Sequence, residues 1–374
     1  MSERGSLWEL IGLFGTLGII GFGGPAAHIA LMRREVVERR GWLTDAEMVD
    51  LVGVTSLIPG PNSTELAMLV GLRRAGRVGL LVAGLAFILP AAAIVLALAW
   101  AYVAYGATPT GEAILYGIAP VIVAIVVAAV IAFARTALRS PLTIVTGAVV
   151  ALLWLAGVNE IVLLAGAAIV MAMARLGTRP PPMIALLAPL TAGSAVSVDL
   201  VTLGGVFLKA GALLYGSGYV LIAFLRGDLV ERLDWLTDAQ LIDAVAIGQV
   251  TPGPLFTTAT FVGYLLAGVP GAMVATVAIF LPAFVIVALV GTWVGRVRER
   301  PMTAALLDGV NAAAIGLMAA VSVQLGLAAV RDPLTAAIGG VAGILLIVGR
   351  VPSVLLVLAG GVVGLATAAA GIGP

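Results

Sequence analysis

Residues 58–65 read Ile-Pro-Gly-Pro-Asn-Ser-Thr-Glu, and residues 251–258 read Thr-Pro-Gly-Pro-Leu-Phe-Thr-Thr. The two Pro-Gly-Pro turns lie 193 residues apart, and a Trp-Leu-Thr-Asp element recurs at the same spacing, at residues 42–45 and 235–238. Repetition of rare residues at one fixed spacing indicates an internal duplication. The turns therefore predict a chain of two homologous halves, each with one such break in its helices.

The composition of these halves is that of a membrane protein. We place the first repeat at residues 1–180 and the second at residues 181–374. The chain has 61% hydrophobic and 10% charged residues and a mean hydropathy of +1.17, values far from those of soluble domains.

The first residues, Met1 to Leu7, lack the basic start and cleavage motif of a signal peptide, so we expect the chain to be kept intact.

The residue types that are missing exclude several kinds of chemistry. The chain contains no cysteine and a single histidine, His28. Disulfides, thiolate nucleophiles and thiolate metal sites are therefore excluded, and one histidine cannot build a histidine-based metal cluster. No set of histidine or carboxylate residues has catalytic spacing. We expect a protein that is not an enzyme and that has no cofactor, no metal and no nucleic-acid partner.

Five apolar stretches of the first repeat are interpreted as membrane spans, since roughly 20 helical residues cross a bilayer. They are residues 7–32, 78–106, 112–134, 141–157 and 160–174. Between the first two spans, residues 45–57 and 62–72 would form helices of only about 15 to 20 Å. These half-helices are too short to cross, and the Pro-Gly-Pro turn joins them in a hairpin.

Arginines lie at both ends of this hairpin: Arg33, Arg34, Arg39 and Arg40 before it, and Arg73, Arg74 and Arg77 after it. Because cytoplasmic loops carry an excess of Lys and Arg, both ends are predicted inside and the hairpin is predicted to be re-entrant. Five spans then place the N-terminus outside and reverse the second repeat. The charges agree, because the uncharged loop at Thr108 corresponds to a basic loop in the second repeat, at Arg296, Arg298 and Arg300.

The sequence therefore predicts an all-α polytopic membrane protein with two inverted-topology repeats. We expect about ten transmembrane helices and two re-entrant half-helix hairpins that enter from opposite faces. Capping boxes, Thr44 with Glu47 and Thr237 with Gln240, are expected to open the first helix of each hairpin. Inverted repeats of this kind are common in secondary transporters, which hold their substrate near the bilayer midplane.

Each Pro-Gly-Pro turn exposes the amino end of the helix that follows it. Free amides and partial positive charge make such an end a site for a tetrahedral oxyanion. Non-helical backbone at membrane depth is tolerated only inside protein or along a watery cavity, so a purely structural hairpin tip is the alternative. The predicted substrate-binding residues are Pro59, Gly60, Pro61, Asn62, Ser63 and Thr64 in the first repeat, and Pro252, Gly253, Pro254, Thr257 and Thr258 in the second.

Three ionisable side chains are further candidates. Lys209, the sole lysine, lies roughly 15 Å along its helix from Asp199, where it either offers positive charge to an anion or snorkels to the interface. Glu65 is either a proton carrier or the partner of Asn62 in a capping box. His28 is either a group that titrates near neutrality or a satisfied interior histidine. We predict Glu65 and His28 as proton-coupling candidates.

Five motifs carry a resemblance to a known family. They are residues 22–28, reading Phe-Gly-Gly-Pro-Ala-Ala-His, the Trp42 element, the turn at 59–61, residues 248–254, reading Gly-Gln-Val-Thr-Pro-Gly-Pro, and residues 280–284, reading Phe-Leu-Pro-Ala-Phe. Together they resemble the two-domain chromate ion transporters over nearly the whole chain. Only the second repeat has the complete turn motif, because the first has Thr55, Ser56 and Leu57 before its turn.

The resemblance implies a secondary-active transporter in the bacterial inner membrane that exports chromate, a tetrahedral oxyanion, from the cytoplasm. The turn motif of the second repeat, at residues 248–254, adds Gln249 and Thr251 to the candidate substrate-binding residues. Sulfate is a chemically similar dianion, so a transporter of sulfate or another small anion is the alternative. A membrane-embedded lipid-handling enzyme is a remote third hypothesis. Besides the oxyanion and the lipid bilayer, a second copy of the chain, in a homodimer, is a candidate partner.

Overall fold

The computed structural model describes residues 7–55, 58–176, 198–214, 218–290, 301–349 and 351–372. Throughout these ranges the regular secondary structure is helical, which confirms the all-α prediction. The first half forms α1 (Leu7–Ile20), α2 (Gly24–Arg33), α3 (Asp45–Thr55), α4 (Asn62–Tyr105), α5 (Pro109–Ala137), α6 (Pro141–Leu155) and α7 (Glu160–Leu176). The second half forms α8 (Leu200–Leu213), α9 (Val220–Leu225), α10 (Asp238–Val250), α11 (Thr258–Val290), α12 (Pro301–Ala329), α13 (Pro333–Ile347) and α14 (Ser353–Ala369). The predicted basic loop at Arg296, Arg298 and Arg300 lies outside the described residues.

Many of these helices have the length and composition of membrane-spanning segments. Within the described ranges, four segments are long and apolar enough to cross a membrane: Asn62–Tyr105, Pro109–Ala137, Leu255–Leu289 and Ala304–Ala329. The described residues also contain five shorter apolar helices, α1, α6, α8, α13 and α14. This pattern is typical of an integral membrane protein. Helices α5, α6 and α7 lie where the apolar stretches of the first repeat predicted them.

The predicted span at residues 7–32 is not one continuous helix. α1 ends at Ile20 and α2 begins at Gly24, after a turn in which Gly23 has a φ of +100°. Pro25 lies in the first turn of α2, where its missing N–H removes no helical hydrogen bond. The predicted span is therefore interrupted at the Gly-Gly-Pro sequence, where apolar character continues but the helical hydrogen bonds do not.

Both predicted capping boxes are confirmed. The amide of Thr44 donates to Glu47 Oε2 at 2.8 Å, and the amide of Glu47 donates to Thr44 Oγ1 at 3.3 Å. Thr237 and Gln240 make the same reciprocal pair in the second repeat, at 2.9 and 3.2 Å. The boxes satisfy free amides at the starts of α3 and α10, the short helices that lead into the two turns.

A second break lies in each long helix that follows a turn. α4 has non-helical backbone angles at Ala75 and Gly76, and the chain folds back there. A Cβ atom on Gly71, before the break, would lie 2.2 Å from the carbonyl oxygen of Gly79, after it. α11 repeats this arrangement 192 residues later. The segment of α4 from Asn62 to the break is therefore only about 20 Å long, shorter than a hydrocarbon core.

The helices are grouped into two compact units, and each unit combines segments of both repeats. The first unit comprises Met1–Thr108, Val198–Gly218 and Ala244–Gly295. Within it α1 packs along α4, α8 packs along α11, and α4 packs against α11. Both Pro-Gly-Pro turns belong to this unit, so they share one set of neighbouring helices.

The second unit comprises Pro109–Ser197, Tyr219–Asp243 and Arg296–Pro374. Here α5 of the first repeat packs against α12, α13 and α14, while α12 of the second repeat packs against α6 and α7. Small residues permit close approach, since a Cβ atom on Gly117 of α5 would lie 2.0 Å from the carbonyl oxygen of Gly360 of α14. The central helices α5 and α12 thus take most of their neighbours from the opposite repeat.

Candidate functional site

Backbone hydrogen bonds that cross between the repeats hold the two Pro-Gly-Pro turns. The amide of Gly60 donates to the carbonyl oxygen of Leu214, at the end of α8, over 2.8 Å. The amide of Gly253 donates to the carbonyl oxygen of Gly21, just after α1, also over 2.8 Å. The two acceptors are themselves 193 residues apart, so the bonds are equivalent. Each turn is therefore held by the end of the first helix of the other repeat.

Both turns require glycine at their centre. Gly60 has a φ of +139° and Gly253 a φ of +88°, values that residues with a side chain rarely adopt. A Cβ atom on Gly253 would also lie 2.4 Å from the Cβ atom of Ala91 in α4. A Cβ atom on Gly60 would lie 3.3 Å from that of Ala283 in α11. The turns therefore lie against α4 and α11, the helices that pack together in this unit.

The amino end of α4 begins directly after the first turn. The amides of Thr64 and Glu65 both donate to the carbonyl oxygen of Pro61, at 2.8 and 3.0 Å. The amides of Asn62 and Ser63 come before them, and in the described part of the chain they have no backbone acceptor. The amino end was expected to be free at Asn62, Ser63 and Thr64. The amides of Asn62 and Ser63 fit that expectation, whereas the amide of Thr64 is already bonded to Pro61.

The second turn has a different continuation. A short 3-10 turn, Leu255–Thr257, precedes α11, and the amide of Thr257 donates to the carbonyl oxygen of Pro254 at 3.0 Å. The hydroxyl of Thr257 donates to the same carbonyl, and that of Thr258 donates to Leu255, each at 2.8 Å. The threonine hydroxyls at this turn are therefore satisfied by the turn itself.

Buried polar atoms at the first turn lack such partners. Thr64 and Glu65 are fully buried, and within the described ranges neither Thr64 Oγ1 nor either carboxylate oxygen of Glu65 has a hydrogen-bond partner. The alternative of a capping box between Asn62 and Glu65 is therefore wrong. A Cβ atom on Gly60 would lie 2.4 Å from Glu65 Oε1, so the carboxyl group lies directly against the turn. Buried polar groups without partners are uncommon and call for an explanation, which makes the first turn the stronger candidate ligand site.

His28 lies beside the bond that holds the second turn. Its Nε2 atom is 2.8 Å from the carbonyl oxygen of Gly21, the same oxygen that accepts from Gly253. The imidazole meets Phe87 edge-on, with ring centroids 5.4 Å apart. Because a carbonyl only accepts, Nε2 carries the proton, and Nδ1 has no partner among the described residues. His28 is thus connected to the second turn through a shared carbonyl oxygen.

The other predicted residues lie on elements next to the turns. Lys209 is half-buried on α8, five residues before Leu214, or about 7.5 Å along the helix from it. Gln249 is half-buried near the end of α10. Thr251 is buried, and its hydroxyl donates to the carbonyl oxygen of Ile247 at 2.9 Å. The prolines of both turns are buried or half-buried: Pro59, Pro61, Pro252 and Pro254.

The sequence model of a family described as Chromate transporter matches residues 8–173 and again residues 201–365. The chain belongs to the chromate transporter family. The two matches begin 193 residues apart, which is the spacing of the turns, and together they cover most of the chain. The resemblance seen in the sequence motifs is confirmed, and because the family is one of transporters, this member is not an enzyme.

Three curated relatives of this chromate transporter family member share most of its length. A chromate transport protein of Cupriavidus metallidurans is 34% identical, over 88% of this chain and 85% of that relative. A probable chromate transport protein of Synechococcus elongatus is 31% identical, over 90% of this chain and 89% of the relative. A chromate transport protein of Pseudomonas aeruginosa is 33% identical, over 85% and 80%. No solved structure matches this chain.

Two residues that hold the turns in this member of the chromate transporter family were missed from the sequence. Gly21 and Leu214 act through their backbone carbonyl oxygens, which every residue has, so their side chains give no signal. The available signal was their position, since both come directly after the first helix of a repeat and are one repeat spacing apart.

Proposed function

We propose that this protein is a secondary-active transporter that exports chromate from the bacterial cytoplasm. Family membership and the names of the relatives from C. metallidurans and P. aeruginosa support chromate as the substrate. The first Pro-Gly-Pro turn carries the proposal, because fully buried polar groups without described partners lie at the amino end of a half-helix there. Such an amino end attracts an anion through its amides and its dipole.

The oxyanion is placed at the first turn, against the amides of Asn62 and Ser63 and the hydroxyl of Thr64. These groups are donors on one end of one short helix, which suits the oxygens of a tetrahedral dianion. Lys209 adds positive charge on α8, the helix that holds this turn. The second turn, with Gln249, Thr251, Pro252, Gly253, Pro254, Thr257 and Thr258, is assigned a supporting role because its threonine hydroxyls are already bonded.

The membrane arrangement that fits this function is a pair of inverted repeats with a boundary near residue 180. We assign about ten transmembrane helices and two re-entrant hairpins, in the bacterial inner membrane. Half-helices support the hairpins, since α3 and the first segment of α4 are about 16 and 20 Å long and a hydrocarbon core is about 30 Å thick. The exchange of helix neighbours between the repeats also fits an inverted duplication.

The natural absence of cysteine permits a direct test of this arrangement. Single cysteines at Thr108 and at Arg139 are predicted on opposite sides of the membrane. A membrane-impermeant maleimide applied to intact cells is expected to label Thr108→Cys and not Arg139→Cys. Labelling of Arg139→Cys alone would contradict the proposed orientation.

A transporter of sulfate is the second candidate. Backbone amides recognise the charge and tetrahedral shape of an oxyanion and not its central atom, so the first turn does not by itself separate chromate from sulfate. Competition in proteoliposomes separates them. Chromate flux that excess sulfate leaves unchanged supports chromate as the substrate, and sulfate flux with no chromate flux supports the alternative.

A pair of variants at Asn62 tests the proposed site. Asn62→Pro removes a free amide at the first helical position, where proline is well tolerated, and Pro61 before it already has the extended backbone that a following proline requires. Asn62→Ala keeps the amide and removes only the side chain. Cells that express the wild type or Asn62→Ala are expected to accumulate less chromate than empty cells, whereas cells with Asn62→Pro are not. Equal accumulation in all four strains would contradict export by this chain.

A homodimer remains part of the proposal as a candidate assembly. Its mass in nanodiscs, measured by light scattering with the lipid contribution subtracted, is expected to be twice that of one chain.

A further inference from the structure

The carboxyl group of Glu65 is the least compensated polar group at the first turn. Its residue is 0% exposed, and neither oxygen has a hydrogen-bond partner in the described part of the chain. A Cβ atom on Gly60, at the centre of the turn, would lie 2.4 Å from Oε1. The carboxyl group therefore lies at the amino end of α4, where the proposed function places the oxyanion.

Most titratable groups on the neighbouring elements have partners of their own. α4 is packed against α1, α2, α3, α11 and the 3-10 turn. Their titratable side chains are Glu9, His28, Arg33, Asp45, Glu47, Asp50 and Tyr264. Glu9 pairs with Arg74, Arg33 with Asp45, Glu47 with Thr44, and His28 with the Gly21 carbonyl oxygen. Within the described residues no hydrogen bond reaches either carboxylate oxygen of Glu65. Lys209 on α8 is the positive charge that the proposed site itself contributes.

The two protonation states of this carboxyl group have opposite effects on an anion. An ionised carboxylate buried without a partner is costly, and a dianion placed beside it would add repulsion. A neutral carboxyl group has an O–H donor in addition to the amides of Asn62 and Ser63. The neutral form therefore adds a donor to the oxyanion site, and the ionised form competes with the oxyanion for the same helix end.

We propose that Glu65 takes up one proton when the oxyanion binds at the first turn, so that the proton and the anion occupy the protein together. This inference rests on the proposed function and extends it, because it fixes the sign of the coupling. Binding of the anion favours binding of the proton, and the reverse holds by linkage. The second repeat has Thr258 at the equivalent position, so one proton site is expected per chain.

The test measures chromate affinity against pH for three forms of the purified protein in nanodiscs. They are the wild type, Glu65→Gln, and Glu112→Gln as a control that removes an exposed carboxyl group of the other unit. The wild type and Glu112→Gln are expected to lose up to about tenfold in affinity per unit rise in pH, the limit for one coupled proton. Glu65→Gln keeps an N–H donor without charge and is expected to lack this dependence and to bind more tightly than the wild type at high pH. Protonation of chromate itself is common to all three forms and cancels in the comparison.

Each outcome separates this inference from the proposed function. Chromate binding with the same pH dependence in Glu65→Gln and the wild type overturns the inference and leaves the proposed function intact. No chromate binding by the wild type at any pH overturns both. If Glu65→Gln fails to fold, proton uptake by the wild type decides. Addition of chromate to a lightly buffered sample is expected to remove about one proton per bound anion beyond the uptake that chromate alone causes, and no uptake overturns the inference.

Discussion

The amide nitrogen of Gly60 lies 2.8 Å from the carbonyl oxygen of Leu214, which joins the turn of the first repeat to α8 of the second. The equivalent bond joins Gly253 to Gly21 at the same distance. A displacement of α1 or α8 therefore acts on the turn of the opposite repeat. These two bonds are a direct physical connection between the repeats.

Close packing of the second turn predicts that Gly253→Ala destabilises the protein more than Gly157→Ala. Both glycines have a φ of +88°, so backbone strain of about 1 to 2 kcal/mol is common to the two variants. The new Cβ atom would lie 2.4 Å from Ala91 in the first case and would meet no described atom within 4 Å in the second. Overpacking adds about 1 to 3 kcal/mol. Thermal unfolding in detergent measures the difference, and equal Tm values for the two variants would contradict it.

Burial of an ion pair predicts that Arg226→Gln costs more stability than Arg33→Gln, although the two arginines are equivalent in the repeats. Arg226 pairs with Glu231 and Asp238, and its side chain is 10% exposed, whereas that of Arg33 is 47% exposed. The guanidinium group of Arg226 also lies 5.7 Å from the ring centroid of Trp154. Loss of a buried pair costs up to about 3 kcal/mol here, and an exposed pair contributes about 0 to 1 kcal/mol. Chemical denaturation of both variants checks this, and similar midpoints would show that burial has no role.

Positive charge on α8 predicts that Lys209→Ala weakens chromate binding about tenfold, the effect of one charged contact of about 1.4 kcal/mol. Lys209→Arg keeps the charge and is expected to bind within a few-fold of the wild type. Equilibrium binding of labelled chromate to the purified variants gives both affinities. If Lys209→Ala binds as tightly as the wild type, the lysine lies at the interface and not in the pathway.

The bond between His28 and Gly21 predicts different effects of two substitutions at the histidine. His28→Ala leaves Gly253 as the single described donor to that carbonyl and is expected to slow transport, since a hydrogen bond of about 0.5 to 1.5 kcal/mol is lost. His28→Gln can donate again and is expected to restore part of the rate. Chromate flux in proteoliposomes measures both. A glutamine variant as slow as the alanine variant would indicate that His28 carries protons instead.

Apolar composition and a fixed repeat spacing were sufficient to predict helices, a membrane protein and a duplication. α5, α6 and α7 were found because long apolar stretches form helices in lipid whatever their neighbours are. The starts of α3 and α10 were found because a capping box lies within four consecutive residues. Hydropathy alone gave one stretch over residues 7–32, since it does not measure the hydrogen bonds that the Gly-Gly-Pro sequence interrupts after Ile20.

The sequence by itself determined that two Pro-Gly-Pro turns interrupt the helices and that polar residues follow the first of them. Only the tertiary structure decided that Glu65 is buried without a described partner, that His28 bonds to Gly21, and that Gly60 bonds to Leu214. Composition and local turns depend on residues close together in the chain. Burial and backbone bonds between distant segments depend on how whole helices pack, and a carbonyl oxygen gives no sign of its partner in the sequence.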